Sequence, residues 1–438
     1  MNFDVLRLKD KNLIVNPKNA SWVVADSEAQ KLILKGKIDG LPKLLKKRVL
    51  ESGITKDEGM PRKKNHPLLG IFCTTTACNL RCKYCYASAG EKNDFMSIEV
   101  AKKCVDFLLQ SKSNHVTFVL HGGEPSLLGK KWIREFLTYV AKKKNTHKNK
   151  LIKVKMQTNA TLMDDDLAKM LAHFGVKVGI SIDGIPQVND LTRPLADGKG
   201  ATDLVLKGLK NLQNNGLCPG AIIVVSKANF KKIKESMQFL KSKGIHSFKL
   251  ISLSQLGRSA KNKKYQITSK QYFTAIKDAI DFCLKSDSKL QLYPVYYLIY
   301  NLLNKDRPYM CLRSPCGAVN SVLAFDTKGN IYPCDDLVGF KQYILGNVFD
   351  TSLEKVLKNR TSKMFQERTV DKIDDCMECT WRNFCGGGCS GRVLLTYGKL
   401  NHCSDICDYY RTIFPYLIEL IYKDKEKVAE KMMSCALE

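Results

Sequence analysis

Apolar runs with β-strand character alternate with amphipathic helical segments through the middle of the chain. The apolar runs are LGIFCTTT, HVTFVLHG, IKVKMQTN, VKVGISID, GAIIVVS and SFKLISLS, and segments such as MSIEVAKKCVDFLLQ and NFKKIKESMQFLKSKG separate them. Six strand-then-helix units favour parallel strands connected by helical crossovers. The pattern therefore predicts an α/β fold with a closed or partly closed barrel, whose chemistry lies at the C-terminal ends of the strands.

The two ends of the chain show different patterns. The segments VLRL, LIVN and SWVV precede AQKLILKGKIDGLPKLLKKRVL, which predicts hairpin strands and then helices. The polar segment GMPRKKNHP contains two prolines and predicts a linker, so we place a boundary near residue 66. Beyond about residue 305 the chain changes to short strands, turns and closely spaced cysteines. The predicted domains are a small N-terminal module at 1–65, a barrel at 66–304 and a cysteine-rich region at 305–438.

Composition and charge narrow the class of protein. The 438 residues are 44% hydrophobic and 26% charged, which is typical of a folded globular protein. The chain opens without an apolar signal region, and no stretch approaches the roughly eighteen apolar residues of a membrane span, so we expect a cytoplasmic protein without a membrane partner. The formal net charge of +28 comes from scattered lysines. It favours a solvated basic surface or an acidic peptide partner over a nucleic-acid site.

The 17 cysteines are the main chemical feature of the sequence. Thiols stay reduced in the cytosol, so spaced cysteines there bind metal more often than they form disulfides. Cys78, Cys82 and Cys85 follow a predicted strand in CNLRCKYC. Three thiolates on one loop can hold a four-iron cluster and leave one iron open. A zinc knot is the alternative, but structural zinc prefers four protein ligands and no fourth lies nearby in the sequence.

The CxxxCxxC triplet, with Tyr84 before its third cysteine, resembles the signature of the radical S-adenosylmethionine (radical SAM) superfamily. The resemblance implies a partial (β/α)6 TIM-like barrel, and an open iron that chelates S-adenosylmethionine before an electron breaks its sulfonium C–S bond. HGGEP resembles the family's glycine-rich motif, and MQTNAT, GISIDG and NDLTRP resemble its strand-end motifs for the ribose and the methionine carboxylate. The asparagine and serine candidates could instead only cap turns. The implied cofactor-binding residues are Tyr84, Gly122, Gly123, Glu124, Pro125, Asn159, Ser181 and Arg193.

Eight further cysteines in the C-terminal third have the spacing of the SPASM extension found in peptide-modifying members of that family. A cluster with four protein ligands has no open iron. Such a cluster is suited to electron transfer and to holding distant parts of the chain together. Two zinc sites are the alternative, and Cys403 could replace Cys407 as a ligand. Packing is the default explanation of the other cysteines, at 73, 104, 218, 283 and 435. The resemblance implies three [4Fe-4S] clusters in all, with one auxiliary cluster on Cys311, Cys316, Cys334 and Cys389 and the other on Cys376, Cys379, Cys385 and Cys407.

Asp335 directly follows Cys334 in NIYPCDDLVG. Its position resembles that of a proposed general base in sulfatase-maturing members. A carboxylate beside a cluster could take up a proton as a substrate radical is oxidised. The alternative is a residue that only orders the turn.

The N-terminal order of hairpin and helices resembles the small winged-helix-like peptide-recognition module of peptide maturases. We therefore predict a radical SAM/SPASM peptide maturase that oxidatively modifies a ribosomally made peptide with a leader sequence, or crosslinks it by a thioether or carbon–carbon bond. Its electron donor would be a protein such as flavodoxin or ferredoxin. One alternative is an anaerobic sulfatase-maturating enzyme that converts Cys or Ser to formylglycine. Another is a non-enzymatic iron-sulfur electron carrier or nucleic-acid-binding protein.

Overall fold

The computed structural model describes residues 3–60 and 66–433, so the centre of the predicted linker and Cys435 lie outside the described residues. The chain forms two compact units, each made of separate stretches of sequence. The three predicted domains are continuous stretches, so their boundaries stay a prediction. The barrel unit comprises Lys64–Pro294 and Gly317–Glu367. The cysteine-rich unit comprises Met1–Lys63, Val295–Cys316 and Arg368–Glu438.

The strands are short and are numbered here in chain order. They are β1 (Asp4–Leu8), β2 (Lys11–Asn16), β3 (Ser21–Ala25), β4 (Leu69–Thr75), β5 (His115–Gly122), β6 (Leu151–Thr158), β7 (Lys177–Ser181), β8 (Gly220–Val225), β9 (Ser247–Ser252), β10 (Gln291–Tyr293), β11 (Val322–Phe325), β12 (Asn330–Tyr332) and β13 (Gly346–Asn347).

The helices are numbered in the same way. They are α1 (Ser27–Leu34), α2 (Lys43–Ser52), α3 (Ile98–Leu109), α4 (Gly129–Thr146), α5 (Asp165–His173), α6 (Pro186–Thr192), α7 (Thr202–Asn214), α8 (Ile233–Ser242), α9 (Arg258–Lys261), α10 (Ser269–Lys285), α11 (Val295–Leu303), α12 (Leu353–Lys358), α13 (Arg360–Glu367), α14 (Arg382–Cys385), α15 (Ser390–Tyr397), α16 (Cys407–Lys423) and α17 (Lys425–Val428). None of the helices in the described ranges is long and apolar enough to cross a membrane.

The barrel unit is built on a ten-stranded sheet in the order β10-β9-β8-β7-β6-β5-β4-β11-β12-β13. Strands β4 to β10 pair in parallel with their neighbours, β11 joins β4 in parallel, and β12 and β13 are antiparallel. The six predicted strands are β4 to β9, and helices connect them in sequence. The predicted α/β class and partial barrel are confirmed, and the carboxyl ends of these strands meet at one edge of the sheet.

Side chains of the barrel strands alternate between two faces of the sheet. The ring of Phe72 lies 5.7 Å from that of Phe118, and 5.7 Å from that of Phe136 on α4, so this face packs against the helices. The intervening residues point the other way, because successive residues of a strand face opposite sides. We call that side the inner face; it carries Cys73 and His121, which are paired across β4 and β5.

The N-terminal strands of the cysteine-rich unit form an antiparallel sheet in the order β1-β2-β3. Helices α1 and α2 follow and cover one side of it, so the predicted order of strands and then helices is found. The shared core includes Ile14, Val23, Ile33 and Val49, all of which are buried.

This small sheet is also tied to the later parts of the same unit. The Trp22 Nε1 donates a hydrogen bond to the Leu302 carbonyl at 2.8 Å, and the Asn383 amide donates one to the Pro17 carbonyl at 2.9 Å. Lys9 and Glu419 form an ion pair at 2.7 Å. The N-terminal strands therefore fold as part of a larger unit.

Candidate active site

The loop after β4 carries Cys78, Cys82 and Cys85 and is held by backbone contacts. The Arg81 amide donates to the Pro194 carbonyl, and the Lys83 amide to the Thr192 carbonyl, both at 2.8 Å. Together these bonds fix the loop across the residues between the cysteines.

The thiol groups of Cys78, Cys82 and Cys85 fit the binding of a metal cluster. Burial raises the pKa of the Cys78 thiol to about 11 and that of the Cys82 thiol to about 12. A buried thiol ionises only when a cation compensates the lost hydration of the thiolate. Iron held by three thiolates from one loop would supply that compensation.

Gly122 and Gly123, at the end of β5, lie directly against the residues that precede this loop. The Gly123 amide donates to the Thr75 carbonyl at 2.7 Å, and the Glu124 amide donates to the Ala77 carbonyl at 2.9 Å. Gly122 has a φ of 118°, a conformation that favours glycine. A Cβ atom at Gly123 would overlap the carbonyl group of Ala77. The two glycines thus allow β5 to approach the cysteine loop closely.

Replacing Gly123 with alanine is expected to lower iron loading by about four atoms per chain, because the added methyl group must displace the backbone next to Cys78. We expect an accompanying loss of stability of about 1–3 kcal/mol from overpacking. Gly59→Ala is the control, since a Cβ there meets nothing within 4 Å. Iron content and thermal unfolding measure both effects; full iron loading of the Gly123 variant would contradict the prediction.

Glu124 is buried and joins the ends of β5 and β6. Its carboxylate accepts hydrogen bonds from the Asn159 amide at 2.7 Å, the Thr158 hydroxyl at 2.7 Å and the Ser126 amide at 3.0 Å. Burial raises the pKa of Glu124, and these donors oppose the shift. Pro125, also buried, begins a short 3-10 helix at Pro125–Leu128. These contacts give Glu124 a positioning role at the strand ends.

The predicted residues Asn159 and Ser181 lie at neighbouring strand ends. The Asn159 side chain donates to the Asn79 side chain at 2.9 Å, one residue beyond Cys78. The Ser181 hydroxyl accepts a hydrogen bond from the Gln157 side chain at 2.9 Å. Gln157 was not among the predicted site residues, although its place at a strand end in MQTNAT was a usable signal.

Tyr84 and Arg193 meet around a third residue, Asp183. The Tyr84 hydroxyl donates to the Asp183 carboxylate, and Arg193 Nε lies 3.1 Å from Asp183 Oδ1. The Arg193 guanidinium also lies 5.3 Å from the centre of the Tyr84 ring. Burial raises the pKa of Tyr84 above its ordinary range, so its phenol stays protonated and donates. Asp183 is the fifth residue of the GISIDG motif, but sequence analysis did not include it among the site residues.

Asp335 follows β12 and lies near the end of the cysteine loop. Its Oδ1 is 3.0 Å from Cys334 Sγ, and its Oδ2 accepts a 3.4 Å hydrogen bond from the Tyr86 hydroxyl. Tyr86 comes directly after Cys85. Burial, and then the charge of Asp335, raise the pKa of Tyr86 well above its ordinary value. The structure therefore brings the predicted base beside the loop of the first cluster, and Tyr86 is a site residue that sequence reasoning missed.

The second predicted auxiliary set lies within the cysteine-rich unit. Burial raises the pKa of Cys376 to about 12, and the nearby Cys379 and Cys403 add to the shift. The pKa of Cys385 is raised by burial and also by the charges of Cys376, Cys379 and Cys407. These cysteines are therefore close neighbours. Cys403 and Cys407 both adjoin the group, so the choice between them stays open.

Members of the first predicted auxiliary set belong to both units. Cys311, Cys316 and Cys389 lie in the cysteine-rich unit, and Cys334 lies in the barrel unit. The assignment of this set to one cluster stays a prediction.

Arg368 is a buried residue that sequence analysis did not identify. Its guanidinium donates to the carbonyl groups of Gly387 at 3.0 Å and His402 at 2.9 Å. Burial lowers the pKa of Arg368, and the charges of four cysteines oppose that shift, namely Cys316, Cys376, Cys389 and Cys385. A buried cation among four thiols both orders the CGGGC turn and stabilises thiolates.

Comparison with known proteins agrees with this geometry. The Radical SAM superfamily model matches residues 72–247, and the SPASM iron-sulfur cluster-binding domain matches residues 316–380. An uncharacterized protein of Methanocaldococcus jannaschii is 33% identical over 302 residues, which are 69% of this chain and 96% of the relative. A cysteine-type anaerobic sulfatase-maturating enzyme of Clostridium novyi is 25% identical over 346 residues, which are 77% of this chain and 91% of the relative.

Two solved structures share the fold. The structure of native anSMEcpe with bound AdoMet has a TM-score of 0.72 at 22% identity and covers 82% of this chain and 100% of its own. The structure of Streptococcus suis SuiB bound to precursor peptide SuiA has a TM-score of 0.62 at 18% identity and covers 92% and 98%.

These similarities confirm the resemblance seen in the motifs. The matched domains imply [4Fe-4S] clusters, and S-adenosylmethionine as the cofactor, as predicted. The SPASM match includes Cys316, Cys334, Cys376 and Cys379. The chain is therefore an enzyme of the radical S-adenosylmethionine superfamily that carries a SPASM iron-sulfur domain.

Proposed function

We propose that this enzyme is a peptide maturase that oxidatively modifies or crosslinks a ribosomally made peptide with a leader sequence. The observation that carries the proposal is a groove in the cysteine-rich unit, beside the edge strand β3. Sulfatase maturation is the second candidate, and the likeness to the Clostridium novyi sulfatase-maturating enzyme favours it.

The groove has a volume of about 590 Å³ and combines apolar walls with basic groups. Trp22, Leu45 and Ile421 are among its apolar lining residues. Arg48 and Lys425 are exposed at its sides. In the described sheet, β3 pairs with β2 alone, so its other edge is available to an added strand. A peptide can extend such an edge through main-chain hydrogen bonds, with side-chain pockets giving specificity.

The basic lining indicates an acidic leader. Arg48, Lys305 and Lys425 bring positive charge to the groove, against the single carboxylate of Glu51. The structure of SuiB with its precursor peptide, a protein of the same fold, adds support to the assignment of a peptide substrate.

The residues around the cysteine loop would have distinct roles in the reaction. A cluster held by Cys78, Cys82 and Cys85 would supply one-electron reductive cleavage of S-adenosylmethionine. Gly122 and Gly123 let the end of β5 lie against the residues before the cysteine loop, and their lack of side chains would leave room for the cofactor there. The Tyr84–Asp183–Arg193 group holds the loop and the neighbouring strand ends in place.

Asp335 would act as the base that completes substrate oxidation. Its Oδ2 would accept the proton that the substrate loses, and the Tyr86 hydroxyl orients that oxygen. Because Tyr86 stays protonated, it acts as a donor and leaves Asp335 as the acceptor.

Reversing the charge at Arg48 and Lys425 together is expected to weaken leader binding by tenfold or more, since opposite charges would become like charges. Removal of residues 1–65 is a less selective test, because this segment packs against later parts of its own unit. The matched control, Lys31→Glu with Lys35→Glu, changes an exposed lysine of α1 and the exposed lysine that directly follows the helix, both outside the groove. Fluorescence anisotropy with the labelled peptide of the neighbouring reading frame measures the effect; equal affinity in both double variants would contradict the proposal.

The function itself is tested with reduced, reconstituted enzyme and S-adenosylmethionine. Incubation with the peptide of a neighbouring short reading frame should yield 5'-deoxyadenosine together with a peptide that has lost hydrogen, as detected by mass spectrometry. The matched arm uses a sulfatase-derived peptide containing the target Cys or Ser. If an aldehyde forms only on the sulfatase-derived peptide, the enzyme forms formylglycine and the proposal of peptide maturation is wrong.

A further inference from the structure

Three lysines line the inner face of the barrel unit. Lys153 and Lys155 lie on β6, alternating with Val154 and Met156, which are buried on the helix side. Lys249 on β9 alternates in the same way with buried residues. The inner face of a closed barrel is normally filled by packed aliphatic side chains. Here Lys155 is exposed and Lys153 and Lys249 are half-buried, so this part of the inner face is open to water.

The strand register places Lys249 at the predicted cofactor edge and Lys155 below it, with Lys153 two residues further down β6. Lys249 pairs with Ile222 of β8, and Ile222 pairs with Ser181 of β7. Lys155 is two residues before Gln157, which hydrogen-bonds to Ser181. Directly paired residues of neighbouring strands lie roughly 5 Å apart and face the same side of the sheet. The positive charge of Lys155 and Lys249 therefore lies at or just below the ends of the strands, and Lys153 extends it down β6.

Like charges are concentrated on this part of the inner face. Lys155 is paired across β6 and β7 with a fourth lysine, Lys177. Among the residues that the structure describes, Lys153, Lys155 and Lys249 have no carboxylate within ion-pair distance. Partial desolvation, and then the charges of Lys177, Lys153 and Lys249, lower the pKa of Lys155. By contrast, Lys102 and Lys143 on the outer helices each form an ion pair.

Such an arrangement costs free energy unless an anion binds. Each ammonium group is repelled by its neighbours, and the enclosing sheet removes part of its hydration. An anion that binds at this part of the inner face would relieve both penalties, because the enclosure that weakens hydration also strengthens attraction between opposite charges.

We propose that Lys153, Lys155 and Lys249 form a binding site for carboxylate groups of the substrate, so that the segment presented to the cofactor is acidic. This inference rests on the proposed peptide substrate and specifies its chemistry at the reaction site. The carboxylates would anchor the substrate below the strand ends and leave the neighbouring residue facing the cofactor edge. The site belongs to the barrel unit, whereas the groove beside β3, which would hold the leader, belongs to the cysteine-rich unit.

The test compares two fluorescent hexapeptides, hexaglutamate and hexaglutamine, binding to the full-length enzyme. Wild-type protein should bind hexaglutamate and show little affinity for hexaglutamine at low ionic strength. The variant Lys155→Gln with Lys249→Gln should bind hexaglutamate at least tenfold more weakly. The control variant, Lys169→Gln with Lys210→Gln, removes the same charge from exposed positions of α5 and α7 and should bind like wild type.

Further measurements separate the explanations. Iron content and thermal unfolding of both double variants verify that the fold and the clusters are intact. Equal loss of binding in the two double variants would overturn the proposal, because net charge alone would then explain it. The comparison is repeated in protein that also carries Arg48→Glu and Lys425→Glu, which removes binding of acidic peptide in the groove. Unchanged hexaglutamate affinity after Lys155→Gln and Lys249→Gln are added to that protein would also overturn the proposal. A third outcome separates this inference from the proposed function. If the wild-type enzyme modifies its peptide but the Lys155→Gln, Lys249→Gln variant keeps full affinity for hexaglutamate, this inference is wrong and the proposed function stands.

Discussion

Replacing Cys78, Cys82 and Cys85 with alanine is expected to abolish release of 5'-deoxyadenosine and to leave about eight of about twelve irons per chain. The three ligands come from one loop, and no other predicted ligand shares it. Their removal eliminates the cluster whose open iron binds S-adenosylmethionine. The predicted ligands of the auxiliary clusters are unchanged, so their iron should remain.

Anaerobic reconstitution, iron and sulfide analysis, and chromatographic assay of 5'-deoxyadenosine measure this result. Cys218→Ala is the matched control, because Cys218 is exposed and belongs to no predicted cluster. It should retain all iron and full cleavage. Stoichiometric zinc with little iron in the wild-type protein would contradict the assignment of three [4Fe-4S] clusters.

Asp335→Asn is expected to reduce formation of the modified peptide by about 100- to 10,000-fold while iron content and cleavage of S-adenosylmethionine are retained. Asparagine keeps the size of the side chain and can still accept a hydrogen bond from Tyr86. It cannot take up a proton as a carboxylate does. Radical generation and substrate oxidation should therefore become uncoupled.

A structural role for Asp335 makes a different prediction. If the carboxylate only orders the turn after Cys334, the Asp335→Asn protein should lose iron and stability, and product should fall only in proportion. The matched control is Asp336→Asn, a change of the same chemistry at the adjacent position, for which we expect a much smaller effect. Wild-type product yield from a fully loaded Asp335→Asn enzyme would show that the base lies elsewhere, with Asp336 the next candidate.

Local spacing made the first cluster predictable. Cys78, Cys82 and Cys85 span eight residues, so one loop can bring their thiols together whatever the rest of the chain does. The strand-helix rhythm likewise predicted β4 to β9, because apolar periodicity reports local structure directly. Gly123 was predicted from its motif, but its reason, the close approach of Ala77, depends on strand pairing.

Contacts between distant residues were not predictable in this way. Asp183 binds Tyr84 across 99 residues of sequence, and Tyr86 reaches Asp335 across 249 residues. Arg368 carries no motif, and its position among the thiols follows only from the folded arrangement. Trp22 similarly hydrogen-bonds to Leu302. The sequence pattern predicts a separate N-terminal module, but its strands pack within a larger unit.

The sequence by itself determined the family, the fold class and the cysteines available as ligands, because these follow from short-range spacing and local periodicity. Only the tertiary structure decided which polar residues meet. Strand register places Lys155 and Lys249 on one inner face, although the lysine-rich sequence alone suggested a solvated surface. The alternation of side chains along a strand shows which residues share a face. Packing of the helices decides which face is covered and which remains open to a ligand.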